Sequence, residues 1–220
     1  MIQDIKGGFQ GKKMLTDSKI KIRVATVKDA KALLNIYAYY IKHTAITFEY
    51  DVPTVEEFEK RIERVLEKYP YLVAILEDEI VGYAYASAFH ERPACGWAVE
   101  TSIYIDKNKK GLGIGKKLYE VLEEILKLQN VLNLEASIAY NEIEDAYLTK
   151  DSVKFHEKLG YCMVGRFVQC GYKFNRWYDL VWMEKHIGEH TNKQETIKSF
   201  SEVRDKILDR EFFKNVALKK

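Results

Sequence analysis

The sequence predicts a mixed α/β (α+β) fold, in which a mostly antiparallel, twisted sheet contains one parallel strand pair and is flanked by helices. A strand-like run at 97–105 leads through a glycine-rich turn into an amphipathic helix at 114–128, and a second alternating run follows at 131–138. Strand, helix and strand in succession form a βαβ unit, so these two strands are expected to be parallel. Two pairs of neighbouring runs are joined by short turns, which favours antiparallel pairing elsewhere.

The first third of the chain predicts a strand and two helices. Ile20, Ile22 and Val24 alternate with charged residues at 19–25, as in a half-buried strand. Thr26 and Thr54 are each followed three residues later by an acidic residue, the spacing of a capping box, and then by an apolar helical face. Pro70 is expected to close the second helix.

The remaining elements follow from alternation and turn residues. Glu77-Asp78-Glu79 separates two alternating runs and predicts a hairpin. Asp151 or Ser152 is expected to cap a short helix that ends at Gly160 as a C-terminal cap. Further strands are predicted at 72–76, 80–89, 163–173 and 177–184.

Composition sets broad limits on location and partners. With 220 residues and 47% hydrophobic content, the chain is long enough for one well-buried domain. The net charge of +2 predicts no nucleic-acid partner. No apolar run is long enough for a membrane span or a signal peptide, so we expect a cytoplasmic protein without a membrane partner. Cys95, Cys162 and Cys170 lack C-x-x-C spacing, which predicts reduced thiols that pack in the interior and no structural metal.

A glycine-rich turn at 109–117, KKGLGIGKK, is the most informative motif. Glycines let a backbone approach a ligand closely, and the free N–H groups at a helix N-terminus favour phosphate. The spacing does not match G-x-G-x-x-G of dinucleotide-binding folds, because the last glycine would fall on Lys116 or Leu118. Nor does it match the nucleoside-triphosphate loop, because Lys117 follows Gly115-Lys116 where Ser or Thr is required.

The turn resembles the R/Q-x-x-G-x-G/A signature with which the GNAT N-acetyltransferase superfamily holds the pyrophosphate of acetyl-coenzyme A. Lys110 stands at the first position and keeps the charge. Over roughly residues 20–187 the order of motifs is similar to the phosphinothricin acetyltransferase branch. These motifs are Thr47-Phe48-Glu49, Tyr83-Ala84-Tyr85-Ala86, VETSIYI at 99–105, SVKFHEKLG at 152–160, Gly171-Tyr172-Lys173 and Trp177-Tyr178-Asp179.

The resemblance implies a GNAT domain at 19–187, a loose lead-in at 1–18 and a helical tail at 188–220. It implies acetyl-coenzyme A as cosubstrate and no metal. The residues expected to bind the cosubstrate are Ile103, Tyr104 and Ile105 in the strand, Lys110, Gly111, Leu112, Gly113, Ile114, Gly115 and Lys116 in the turn and first helical turn, and Asn141 after the next strand.

Two residues match catalytic positions of the branch. Glu100 stands where the branch deprotonates the amine, and partial burial would raise its pKa toward neutral. Its alternative role is a salt-bridged strand glutamate. His156 stands where many superfamily members have a tyrosine that protonates the leaving thiolate, and histidine can relay a proton. Its alternative role is only to hydrogen-bond and pack.

Acceptor residues follow from the resemblance alone. Phe48, Arg92 and Lys173 match substrate-contacting positions, and an arginine there could pair with a substrate carboxylate. Cys95 departs from the tyrosine that the branch tends to have, so the acceptor is less certain than the reaction. The two helices before the first hairpin would flank the acceptor.

These observations predict transfer of an acetyl group to the primary amine of a small amino-acid-like compound of the phosphinothricin or methionine-sulfoximine type. The alternatives are acetylation of a peptide or protein and a non-catalytic acyl-coenzyme A-binding module. The segment at 141–150 is longer than in the branch, and acts as either a lid or an idle surface loop. The apolar face formed by Ile197, Phe200, Val203, Ile207, Leu208 and Phe212 predicts a helix that packs on its own domain, with a homodimer contact as the alternative.

Overall fold

The computed structural model describes residues 20–208. Its strands are β1 (Lys21–Val24), β2 (Tyr71–Leu76), β3 (Glu79–Ala88), β4 (Ala98–Ile105), β5 (Asn133–Tyr140), β6 (Cys162–Lys173) and β7 (Arg176–His186). Its helices are α1 (Ala30–His43), α2 (Val55–Leu66), α3 (Ile114–Leu128), α4 (Asp151–Lys158) and α5 (Phe200–Leu208). The strands form one sheet in the order β1-β2-β3-β4-β5-β7-β6. Only β4 and β5 pair in parallel among the strands described, which confirms the predicted mixed fold.

The predicted caps of the first two helices are confirmed, whereas that of α4 is wrong, because Asp151 is already its first residue and Lys150 is the N-cap, without a side-chain hydrogen bond. At the second helix, Glu57 N–H donates to Thr54 Oγ1 at 3.1 Å and Thr54 N–H donates to the Glu57 carboxylate at 2.8 Å. Before α1, Thr26 N–H donates to the Asp29 carboxylate at 2.8 Å, and Arg23 donates to both oxygens of the same group. These bonds occupy backbone donors that the helix cannot satisfy itself, so each helix begins where the sequence predicts.

The start of β5 differs from the prediction by two residues, because Val131 belongs to the end of α3. Asn130 has a left-handed backbone with φ of 65°. Val131 N–H donates to Leu126 C=O, and Asn130 N–H donates to Lys127 C=O. This is a Schellman cap, in which the two residues after the helix are used to satisfy its last carbonyls. Strand pairing therefore begins at Asn133.

The sheet separates two apolar clusters. On one face, Leu118 and Leu122 of α3 pack with Val99. On the other face, Leu33 of α1 and Ile62 of α2 pack with Tyr83. Successive residues of a strand point to opposite faces, and this alternation is what allows both faces to be covered. The β4–β5 junction therefore lies between the α3 layer and the α1–α2 layer.

The described part of the tail packs on the domain. Phe200, Val203 and Ile207 of α5 are buried in the same cluster as α3, and Ile197 packs against it. The tail's apolar face is therefore used within this chain rather than left for a partner. Residues 1–19 and 209–220 lie outside the described residues, so the lead-in and Phe212 are not described. Within the described range, no helix has the length and apolarity needed to cross a membrane.

The prediction that the cysteines pack in the interior is wrong for two of them. All three are free thiols, with Cys162 and Cys170 exposed and Cys95 half-buried. Cys162 and Cys170 lie on β6, which is an edge strand. Most β6 side chains are exposed, including Met163, Val164, Phe167 and Val168.

Candidate active site

A wedge opens between β4 and β5 because the two strands pair over only three residues each, 98–100 with 133–135. β4 nevertheless continues to Ile105 and β5 to Tyr140. In residues 101–105, the N–H and C=O groups of every second residue therefore face the wedge instead of a neighbouring strand. One of these groups is already used, because Tyr40 donates its hydroxyl hydrogen to Ile105 C=O. A small cavity of about 60 Å³ in the wedge is lined by residues from both strands, Tyr119 and His156.

The glycine-rich turn lies at the mouth of this wedge. Gly111 and Gly113 have positive φ, 77° and 82°, which glycine adopts without the strain that a side chain would add. Gly113 is the N-cap of α3, and no atom lies within 4 Å of the position that a β-carbon would occupy there. At Gly115 the same position is only 3.0 Å from the Phe155 ring. The first turn of α3 thus presents free N–H groups to open space, while Gly115 packs against α4.

We call the cavity beside this turn the glycine-loop groove. It measures about 450 Å³ and runs from the turn to the β4 backbone. Its walls are Tyr40, Ile46, residues 103–105, Lys109, Lys110, Gly111, residues 113–116, Thr149, Asp151, Ser152 and Phe155. The structure thus brings together all the predicted cosubstrate-binding residues of the strand and turn except Leu112, which packs against the α3-side core instead.

Asn141 is not among the residues that line the groove. It follows β5 in the longer segment at 141–150, in which only the later residue Thr149 belongs to the wall; Asp151, at the start of α4, comes next. The segment is anchored: the Asp145 carboxylate accepts hydrogen bonds from the N–H groups of Tyr147 and Leu148 and from Arg176. Leu148 is buried. The groove walls therefore give no support to Asn141, which stays a prediction from the sequence.

His156 is buried in the wedge as a neutral imidazole. It is 3% exposed, and burial lowers its pKa from 6.5 to about 4. Its Nδ1 lies 2.7 Å from Ser152 C=O and its Nε2 lies 3.2 Å from the Tyr119 hydroxyl. A carbonyl can only accept, so Nδ1 must carry the hydrogen and Nε2 must accept from Tyr119.

Tyr119 also lies beside a second group of hydroxyls. Its hydroxyl lies 3.4 Å from Thr101 Oγ1, which is 3.2 Å from the Tyr161 hydroxyl and donates to Glu135 C=O. Burial raises the pKa of Tyr119 above its ordinary value. Sequence reasoning missed Tyr119 and Tyr161. Tyr119 lies on the buried face of an amphipathic helix, where its spacing is the same as that of an ordinary core residue.

Glu100 lies on β4 directly opposite Ser87 of β3. Opposed residues of an antiparallel pair project to the same face, so Glu100 faces the same side as Ser87, away from His156 and α3. Glu100 is half-buried, and burial raises its pKa. The two catalytic candidates thus approach the β4–β5 junction from opposite faces of the sheet.

A larger cavity lies on the Glu100 face, and we call it the tyrosine-lined cavity. It measures about 1010 Å³ and is lined by Tyr37, Tyr69, Tyr71, Tyr83, Tyr85 and Tyr104, by Ser87, and by residues of α2 and of the loop at 90–96. Tyr104 also lines the wedge and the glycine-loop groove, so one β4 residue borders all three spaces.

The charged residues of this cavity are mixed, with a basic excess. Arg61, Arg64, Lys68 and Arg92 line it together with Glu49, Glu67 and Glu91. Arg61 is paired with Glu49 at 2.7 Å. The predicted acceptor residue Arg92 therefore lies in the wall of a cavity that is not acidic.

Neither Phe48 nor Lys173 lines the cavity. The Phe48 ring lies against Gly171, where a β-carbon would be only 2.3 Å from a ring atom. Lys173 is 3% exposed and donates to Thr47 C=O at 2.7 Å. Burial lowers the pKa of Lys173. These contacts tie the 44–49 segment to the end of β6, and thereby hold Glu49 in the cavity wall.

Glu135 forms a separate acidic contact on the Glu100 face. It stands in register between Glu100 of β4 and Glu184 of β7. Burial, and then the Glu184 carboxylate, raises its pKa to about 7. In the described residues no group of three or more histidine, cysteine or acidic side chains could hold a metal ion.

Comparison with known proteins identifies the family. A family model described as an acetyltransferase (GNAT) domain matches residues 22–182, which is most of the chain. The chain belongs to the GNAT acetyltransferase family. Phosphinothricin N-acetyltransferase of Streptomyces viridochromogenes is 32% identical over 167 residues, covering 76% of this chain and 87% of that protein. The L-methionine sulfoximine/L-methionine sulfone acetyltransferase of Pseudomonas aeruginosa is 30% identical, covering 76% and 94%.

Solved structures give the same result. A GNAT superfamily phosphinothricin acetyltransferase from Sinorhizobium meliloti, solved in complex with acetyl-coenzyme A, superimposes with a TM-score of 0.74 at 30% identity, covering 82% of this chain and 95% of that one. The yncA protein of Salmonella typhimurium, solved with its cofactor acetyl-coenzyme A, gives 0.72 at 27% identity, covering 79% and 97%. The protein is therefore an N-acetyltransferase similar to the phosphinothricin acetyltransferase branch, as the sequence motifs predict.

Proposed function

We propose that this acetyltransferase transfers an acetyl group from acetyl-coenzyme A to the primary amine of a small amino-acid-like compound of the phosphinothricin or methionine-sulfoximine type. The observation that carries the proposal is the junction at β4, where Tyr104 borders the glycine-loop groove, the wedge and the tyrosine-lined cavity. Two substrates held on opposite sides of one strand can meet there. Positioning of this kind is worth about 7–11 kcal/mol of the barrier in favourable cases.

The glycine-loop groove fits acetyl-coenzyme A. The open space at Gly113 and the free N–H groups of the first α3 turn suit a pyrophosphate, with Lys109 and Lys110 adding positive charge. The backbone of residues 103–105 would hold the pantetheine, and that of 111–116 the pyrophosphate. When bound, the cosubstrate supplies an acetyl thioester whose carbon the amine attacks. Asn141 stays a sequence prediction without support from the groove.

Glu100 is proposed as the general base. The amine must be neutral to attack, and a carboxylate with a raised pKa accepts its proton near neutral pH. Glu100 shares a sheet face with Ser87, which lines the tyrosine-lined cavity. It is therefore on the side from which the amine would approach, and would act directly or through water.

His156 is proposed as a proton relay, with Tyr119 as the group that touches its Nε2. Because the imidazole is neutral with Nε2 accepting, it cannot itself begin the reaction as a cationic acid. The Tyr119 hydroxyl would give its proton to the leaving sulfur, and the phenolate would regain one through His156 Nε2, which accepts the proton that the amine nitrogen loses as the amide forms. The alternative is a histidine that only hydrogen-bonds and packs, and the same two contacts are compatible with it.

Arg92 is proposed to pair with a carboxylate of the acceptor. The basic excess of the tyrosine-lined cavity favours an acidic amine over a basic peptide. Phe48 and Lys173 are proposed to shape the acceptor side through the Thr47–Glu49 segment.

A peptide or protein acceptor is the second candidate, and the size of the cavity favours it. At about 1010 Å³ it is at the upper end of the roughly 300–1,000 Å³ typical of small-molecule sites. One similar structure, at 31% identity and a TM-score of 0.68, is described as a ribosomal-protein-alanine N-acetyltransferase from Brucella melitensis.

A thiol-release assay with acetyl-coenzyme A separates the candidates. Phosphinothricin, methionine sulfoximine, unmodified amino acids and alanine-starting peptides would be offered as acceptors at matched concentrations. The proposal expects the highest kcat/KM with the first two compounds. Higher kcat/KM with peptides would favour the second candidate, and no release with any amine would contradict both.

We further propose a homodimer formed through the outer face of β6 and β7. Val164, Phe167, Val168 and Trp177 are each more than half exposed there, and β6 is a sheet edge. Several large exposed apolar side chains on neighbouring strands are typical of protein interfaces. Light scattering should give twice the monomer mass, and Phe167→Glu should reduce this mass.

Three free thiols also support the predicted cytoplasmic location.

A further inference from the structure

The segment that follows β7, residues 187–200, lies outside the matched family region of 22–182. We call it the C-terminal strap. It is attached to the domain by hydrogen bonds at several points. Trp97 Nε1–H donates to Glu195 C=O at 2.8 Å, and Asn130 Nδ2–H donates to Thr196 C=O at 2.7 Å. Lys198 N–H donates to Gln129 C=O, and Phe200 N–H donates to Lys68 C=O.

Two of the segments that the strap holds form walls of the tyrosine-lined cavity. Lys68 and Tyr69, in the turn after α2, line it on one side. Gln129 bridges this turn to the strap, because its Nε2 donates to both Lys68 C=O at 2.8 Å and Lys198 C=O at 2.9 Å. On the other side the cavity is lined by the loop at 90–96, which contains Arg92.

The loop at 90–96 has few other attachments. In the part of the chain that the structure describes, its hydrogen bonds stay within the loop: Arg92 N–H to His90, Cys95 N–H to Arg92 and Gly96 N–H to Pro93. The strap contacts the loop at its end, since a β-carbon on Gly96 would lie 3.7 Å from Ile197 Cγ1. Trp97, the next residue, carries the bond to Glu195.

We infer that the C-terminal strap positions the loop at 90–96, and through it Arg92, so that the strap sets how tightly the acceptor binds. Ile197 and Trp97 are the positioning residues. The inference rests on the proposed function, because it takes the tyrosine-lined cavity as the acceptor site. It also predicts a selective effect: the strap contacts the C-terminal end of α3, about 22 Å along the helix from the glycine-rich turn. Cosubstrate binding should therefore be independent of it.

The test compares two isoleucine truncations. Ile197→Ala removes the contact with Gly96, whereas Ile207→Ala removes a fully buried α5 side chain from the core and should destabilise the protein more. Trp97→Phe, which keeps a ring but loses the indole donor, is a second variant of the strap contact. Ile207→Val replaces the control if Ile207→Ala does not fold.

Hydrogen exchange of residues 90–96 and steady-state kinetics are measured for each protein. Ile197→Ala and Trp97→Phe should raise deuterium uptake in 90–96 and raise the acceptor KM by about tenfold, since small misplacements of a binding group are costly. Their kcat and acetyl-coenzyme A affinity should be retained. The Ile207 variant should lower the melting temperature without changing loop exchange or acceptor KM.

Unchanged exchange and KM in both strap variants, or an equal rise of KM in the Ile207 variant, would overturn the inference and leave the strap as a general stabiliser. Raised exchange without a change of KM would overturn its functional part. A parent protein that acetylates no amine would instead contradict the proposed function, and the exchange data would still decide whether the strap holds the loop.

Discussion

Protonation of His156 should destabilise the folded protein by an amount that its burial determines. The pKa of the buried imidazole falls from 6.5 to about 4. As the pH drops below 6.5, the unfolded chain binds a proton at this position and the folded protein does not. The contribution to stability is therefore complete above that pH and is lost as the pH falls to about 4. At about 1.4 kcal/mol for each pKa unit, the loss reaches about 3 kcal/mol.

Comparison with His156→Gln isolates this effect. Glu135, whose pKa is raised to about 7, gains stability as it is protonated over the same range, so the wild-type curve mixes two opposite trends. Glutamine does not titrate but keeps a donor and an acceptor. Urea unfolding, followed by circular dichroism at intervals between about pH 7 and pH 4, gives the free energy of unfolding of both proteins. The advantage of the wild type over the variant should shrink by about 3 kcal/mol across this range.

A difference between the two proteins that does not change with pH would refute the reasoning, because it would mean that His156 has the same pKa folded and unfolded. A wild-type advantage that grows on acidification would mean that the folded protein stabilises the imidazolium, and the assignment of Nε2 as an acceptor from Tyr119 would be wrong. The pH dependence of kcat offers an independent check. Because the folded imidazole does not titrate near pH 6.5, the kcat profiles of the wild type and His156→Gln should have the same shape there.

Three further predictions concern the other site residues. Glu100→Gln should lower kcat/KM by about 10²-fold and remove the acidic limb of its pH profile, while acetyl-coenzyme A affinity measured by calorimetry stays the same. Gly113→Val should weaken that affinity, because the side chain enters open space at the helix N-terminus and the positive φ disfavours a branched residue; unchanged affinity in a folded variant would contradict the cradle. Arg92→Gln should raise KM for amines that carry a carboxylate but not for the matching amides, and an equal rise for both would remove Arg92 from carboxylate recognition.

The fold could be predicted from sequence because its strongest signals are local. The capping boxes at Thr26 and Thr54, the apolar face of α3 and the position of Gly160 each fix an element through bonds to near neighbours. The parallel pair followed from chain order alone. The predicted start of β5 was less accurate. The Schellman cap at Asn130 and Val131 depends on a left-handed backbone, which asparagine can adopt but often does not.

The geometry of the candidate site could be predicted only where a motif sets the backbone conformation. The glycine-rich turn was found because glycine itself permits the required φ. The role of Tyr119 and the pKa of His156 depend on packing between α3 and α4, which no spacing rule describes. The strap's contacts with Trp97 and Lys68 join residues that are far apart in sequence, and are likewise visible only in the folded chain.

The central claim is that this chain acetylates the amine of a small amino-acid-like compound, and a competition measured by mass spectrometry tests it most directly. Phosphinothricin, methionine sulfoximine and an alanine-starting peptide would be mixed in equal amounts with acetyl-coenzyme A and the enzyme, with Glu100→Gln as the matched control. The account predicts that the N-acetylated forms of the two small compounds accumulate first, and that they accumulate far more slowly with the variant. Preferential acetylation of the peptide, or equal product with wild type and variant, would contradict it.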